Sequence, residues 1–148
     1  MMRLSVILGL SIGLSLYAAP PSWGAATDAQ REAVKKLPED LKNLIESAFY
    51  CRGVTGEKPY TEAKSLTFSV LSQLTDATMA QRFVSEREKS FEAGCPQEIR
   101  STCWADYLDM PANESEAGAE ECDLEQKLAM AAVVLTLQTI RGTPTGKN

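Results

Sequence analysis

The sequence predicts an all-α protein, a small bundle of five or six helices stapled by two disulfides. Three observations carry that expectation. Apolar residues recur at helical spacing, as in Leu41, Leu44, Ile45, Ala48 and Phe49 at i, i+3, i+4, i+7 and i+8. Cap residues, prolines and glycines punctuate the chain where helices would start and stop. Four Cys and no His follow an N-terminal segment of the export type, a setting in which cysteines pair.

The first 24 residues read as a secretory leader. Arg3 is the short positive region, Leu4 to Ala19 is an uncharged apolar run, and Pro20 and Pro21 break it. The run is somewhat short of the ~20 residues of a spanning helix, although an uncleaved anchor is the competing reading. Ser22 and Gly24 suit a cut after Gly24, and Gly24 and Ala26 suit one after Ala26. No Cys follows the run closely, as a lipoprotein anchor would require. A single helical domain over residues 25–141 is then expected, enough to bury about two-thirds of its unfolded surface. The last residues, 142–148, read as a disordered tail. The expected location is the periplasm or the extracellular medium, with no membrane association once the leader is removed.

Within the domain, Thr27 to Leu37 reads as a short polar helix capped by Thr27 or Asp28. Pro38 is expected at the first position of a second helix, with Glu39 and Asp40 in the turn where the helix dipole favours anions. That helix ends at Cys51 to Gly53. Residues 55–60, "TGEKPY", read as a loop, since Gly56 supplies a turn and Pro59 restricts Lys58 before it. Thr61 is the expected cap of a third segment with Leu66, Phe68, Val70, Leu71 and Leu74, where the 66/68/70 alternation also fits a strand. Asp76 caps a fourth helix carrying Met79, Phe83, Val84 and Phe91, ended by Gly94. Pro96 opens a fifth, whose Ile99, Cys103, Trp104, Tyr107 and Leu108 share one face. After the loop "MPANESEAG", the last helix runs from about Ala119 to Arg141. It is almost continuously apolar from Leu128 to Ile140, the pattern of a helix buried at the centre of a bundle.

The helix reading narrows the disulfide pairing. Cys95 and Cys103 bracket a helical stretch, which would separate their Cα atoms by ~12 Å, against the roughly 7 Å that a disulfide tolerates. Helix ends on one side of an up-and-down bundle favour Cys51–Cys95, with Cys103–Cys122 as the second bridge.

Several chemistries are excluded. "TGEKPY" is the string that links C2H2 zinc fingers, but such fingers need two His ligands, and the chain has none. Its four Cys include no C-x-x-C pair. Nucleic acid needs a basic face, whereas 15 Lys and Arg stand against 20 Asp and Glu. With Arg3 removed, 14 basic residues oppose 20 acidic ones, a net charge of −6. Gly9 to Gly13 matches G-x-S-x-G, yet it lies in the leader and lacks the strand–turn–helix context and the histidine base of that motif. Ser-His-Asp and Cys-His catalysis are closed to a chain without imidazole. No enzyme activity, cofactor or metal site is expected.

Three stretches are candidate sites. The acidic run Glu114, Glu116, Glu120, Glu121, Asp123 and Glu125 fits a basic protein surface, or simply a solvated helix N-terminus. Its spacing does not make an EF-hand loop. Trp104, Asp106, Tyr107 and Asp109 place two carboxylates at i and i+3 beside aromatics, a glycan-handling pattern, although the helical stripe turns the aromatics inward. Asn113 to Ser115 is an N-glycosylation triplet, meaningful only in a eukaryotic host.

In general build the chain is similar to exported immunity proteins directed against peptidoglycan amidases, which are small, helical and sometimes disulfide-bonded. That resemblance implies a protein-binding inhibitor whose partner is another exported protein, and the acidic surface suits a basic one. The chain is also broadly similar to insect odorant-binding proteins, which implies a carrier of a small apolar ligand. Its Cys spacings of 44, 8 and 19 depart from their C-x3-C and C-x8-C signature. An envelope structural or stress protein is the third expectation.

Overall fold

The computed structural model describes residues 26–142. The expected leader and the expected tail beyond Gly142 lie outside the described residues. Six α-helices and one 3₁₀ turn account for most of the rest. They are α1 (Asp28–Tyr50), α2 (Arg52–Thr55), α3 (Glu57–Leu74), α4 (Ala77–Gly94), the turn Gln97–Ile99, α5 (Cys103–Leu108) and α6 (Ser115–Arg141). The all-α class holds.

α1 starts with a complete capping box: Gln30 N–H donates to Thr27 Oγ1 at 3.1 Å, and Thr27 N–H donates to Gln30 Oε1 at 2.9 Å. The expected break at Pro38 does not occur, and two predicted helices are one. Pro38 lies on the solvent side, where its missing N–H leaves the Val34 carbonyl without an i+4 donor. The inward stripe Ala33, Leu37, Leu41, Leu44, Ile45 and Ala48 stays in phase across it, and all of it is buried. Burial on one side therefore outweighs one lost hydrogen bond on the other.

The "TGEKPY" loop also contracts. Only Gly56, at φ 83°, separates α2 from α3, and that backbone conformation is open to glycine. Pro59 falls in the first turn of α3, where its missing N–H costs nothing. Thr61 is consequently inside the helix rather than its cap. The 66/68/70 alternation resolves as helix, leaving Phe68 exposed and Val70 buried. Asp76 caps α4 as expected, its Oδ1 accepting from Met79 N–H at 2.8 Å.

α1 is the centre of the molecule. The α3–α4 hairpin packs on one side of it, and α6 runs antiparallel along another, with α2 and α5 closing one end. Gln30 Nε2 donates to the Ile140 carbonyl at one end of the α1–α6 pair (3.2 Å), and Cys51–Cys122 ties the other. Midway, the buried Thr136 hydroxyl donates to buried Asp40 Oδ2 at 2.5 Å, with Lys36 Nζ 3.7 Å from the other oxygen. The expectation that α6 is the buried centre is overturned, because only Gly118, Cys122, Val133 and Thr136 of its 27 residues are buried.

The disulfides are Cys51–Cys122 and Cys95–Cys103, with Cα separations of 5.8 and 5.9 Å. The inferred pairs Cys51–Cys95 and Cys103–Cys122 do not form. Residues 95–103 are not one helix: Pro96 is extended, a 3₁₀ turn follows, and α5 begins only at Cys103. The chain folds back and brings the two sulfurs together. Ile99, placed on the buried face by the helical reading, is exposed in that turn.

Candidate functional site

α6 carries the candidate surface, and its anchoring comes from small residues and a bridge. Cys122 is tied to Cys51 at the start of α2. One turn earlier, Gly118 lies against buried Trp104, so close that a Cβ there would sit 2.2 Å from the indole. Trp104 Nε1–H donates to the Ser101 carbonyl at 3.1 Å, satisfying the one polar atom that its burial would strand. These contacts hold the first half of α6 against α5 and α2.

That first half displays the acidic run. Glu114, Glu116, Glu120, Glu121 and Asp123 are exposed, and Glu125 is half-buried. Asp123 accepts from Lys127 Nζ at 2.5 Å. Glu121 and Glu125 come together with Tyr107, Leu108 and Met110 around an open cleft of about 440 Å³. Burial, with Glu46 and Glu125 nearby, pushes the Tyr107 hydroxyl up to about 12. Tyr107 stacks on Tyr50 with ring centroids 5.2 Å apart.

The second half is apolar on its outer side. Leu135 is 60% exposed, Leu128 57%, Leu124 48% and Val134 43%. Leu124, Leu128, Ala131 and Leu135 follow at i, i+4, i+7 and i+11, one stripe on the side opposite buried Cys122, Val133 and Thr136. The apolar run that reads as a central helix is in fact apolar on two opposite faces, only one of which the fold covers. Its length in the sequence was visible, but the uncovered side was not.

The carboxylate pair Asp106 and Asp109 does not make a site with the aromatics. Both Asp are exposed while Trp104 is buried, and Asp109 is the left-handed C-cap of α5 at φ 54°. Asn113 is exposed in the turn before α6. Among the described residues no group of three or more His, Cys, Asp or Glu is arranged to hold a metal ion.

Sequence reasoning missed a polar cluster between α2, α3 and α4. Arg52 lies over the rings of Phe49 and Tyr60, 4.2 and 4.3 Å from their centroids, and its Nη1 is 3.2 Å from Glu57 Oε2. Tyr60 donates to Glu88 Oε1 at 2.5 Å, and Lys64 Nζ donates to the same oxygen at 2.7 Å. Burial raises the Tyr60 pKa, reinforced by the hydrogen bond to Glu88. Burial also opposes the Glu88 charge, but the hydrogen bonds from Lys64 and Tyr60 prevail and lower its pKa. The aromatic–cation–carboxylate set ties α3 to α4. Glu88 lies 28 residues from Tyr60 and 24 from Lys64 along the chain, so no local pattern announces it.

No protein-family model matches this chain, and the searches of curated proteins and of solved structures returned no match. No described helix is long and apolar enough to cross a membrane.

Proposed function

We propose that the protein is a small exported protein-binding module of the inhibitor or immunity type, which recognises a basic exported protein through the acidic half of α6. The observation that carries this reading is the rigid display of Glu114, Glu116 and Asp123 on a helix clamped by Cys51–Cys122 and by Gly118 against Trp104. A preorganised charged face loses little conformational freedom on binding and speeds the encounter with an oppositely charged partner. The disulfides, and the leader read in residues 1–24, support an oxidising compartment. A carrier role has less support, because the core is filled by the protein's own side chains and the described clefts open to solvent.

Cross-linking of the oxidised protein in the exported fraction tests the reading. The double variant Glu116→Lys, Asp123→Lys should lose at least ~10-fold in affinity for the captured partner, and wild-type binding should weaken with salt. Unchanged capture by that variant would remove the acidic face from recognition. A captured hydrolase that keeps full activity in the complex would remove the inhibitor role.

A further inference from the structure

We propose that the apolar half of α6 is the contact between two copies of this chain, packed antiparallel. The spacing of the stripe is the first reason. Glu121, Leu124, Leu128, Ala131, Leu135 and Gln138 alternate by three and four residues, the heptad seam by which one helix packs along another. Within the molecule this seam faces away from α1, and its leucines are exposed. An uncovered apolar strip on a rigid helix is a docking surface rather than a packing remnant.

Charge and size identify the occupant. In a parallel pair Glu121 would meet Glu121 of the second copy inside the seam, and Glu120 would flank its Glu125, both repulsive. Reversing one helix removes both conflicts. Leu128 then faces Ala131 of the second copy, large against small, and Leu124 faces Leu135. Glu121 meets Gln138, and at each end Glu120 flanks Arg141 of the other copy. The sequence of α6, acidic at its start and basic only at Lys127 and Arg141, is thus complementary to itself when inverted. A lipid surface is a poorer occupant, since interfacial helices rim their apolar face with Lys and Arg, whereas this one begins with carboxylates. The seam from 121 to 138 covers about 25 Å of helix, a small interface, so association in the micromolar range is expected. Such a dimer leaves Glu114, Glu116 and Asp123 at its two ends, giving two partner-binding faces.

Sedimentation equilibrium of the oxidised full chain from ~1 to ~200 µM is the test. The expected result is a monomer–dimer equilibrium that Leu128→Glu weakens at least ~100-fold, since two leucines leave the seam. Glu120→Arg or Arg141→Glu alone should weaken it about five-fold, and the two together should restore it. A wild-type chain that stays monomeric throughout, or cosediments with lipid vesicles as a monomer, overturns the proposal. Failure of the double variant to restore association overturns the antiparallel arrangement. Leu128→Glu and Arg141→Glu lie outside the acidic run 114–125, so partner capture by those two variants reports separately on the function proposed above.

Discussion

At the scale of single residues, the clearest case is Glu88. It accepts hydrogen bonds from Tyr60 and Lys64, and its pKa is lowered below the ordinary 4.5 because those bonds outweigh its burial. A carboxylate whose pKa falls on folding adds stability above its unfolded pKa, and that stability is lost as the pH falls through the folded value. Glu88→Gln should therefore cost about 1–2 kcal/mol at neutral pH. Denaturant titrations from pH 7 down to pH 3 should show the gap between variant and wild type closing below pH ~4.5. A gap that is constant with pH would mean the carboxylate charge is irrelevant there. None of this was legible in the sequence, where Tyr60, Lys64 and Glu88 look like three separate helix-surface residues. By contrast, the caps Thr27 and Asp76 were legible, because a cap needs only neighbours three residues away.

At the scale of helices, Pro38 shows how tertiary packing overrides a local rule. Proline in a helix interior is a strong stop signal, and the sequence reading ended a helix there. α1 nevertheless continues, since its buried stripe contacts α6 on one side and α3 and α4 on another. Pro38→Ala restores an N–H for the Val34 carbonyl at an exposed position, and should stabilise the fold by about 1–3 kcal/mol in thermal or chemical unfolding. Destabilisation would show that Pro38 sets a bend the packing requires. α6 shows the converse. Its apolar length was read correctly, yet its place was not. Hydrophobic content says that a helix wants cover without saying how many neighbours the fold supplies.

At the scale of the whole molecule, the two bridges act over very different spans. Cys51–Cys122 closes a separation of 71 residues and Cys95–Cys103 one of 8. If chain entropy dominates, they contribute about 4 and about 2.5 kcal/mol respectively. Paired Cys→Ser substitution should reproduce that order in unfolding free energy. Digestion of the unreduced protein with trypsin and a glutamate-specific protease, which separates Cys103 from Cys122, should yield one peptide pair for each bridge. A Cys51–Cys95 peptide would overturn the observed connectivity. The molecule is thus a central helix with α6 strapped to it, and that strap presents an acidic half and an apolar half to the outside.

The sequence by itself determined the helical class, the number of bridges, the caps at Thr27 and Asp76 and the chemistries closed to a chain without histidine. These depend on composition and on neighbours within a turn or two. Only the tertiary structure decided which cysteines meet, that α1 rather than α6 is central, and which apolar stripe is left uncovered. Each of those depends on where distant segments dock. A turn at Pro96 too short to read as anything but a helix start redirected the chain, and with it both disulfides.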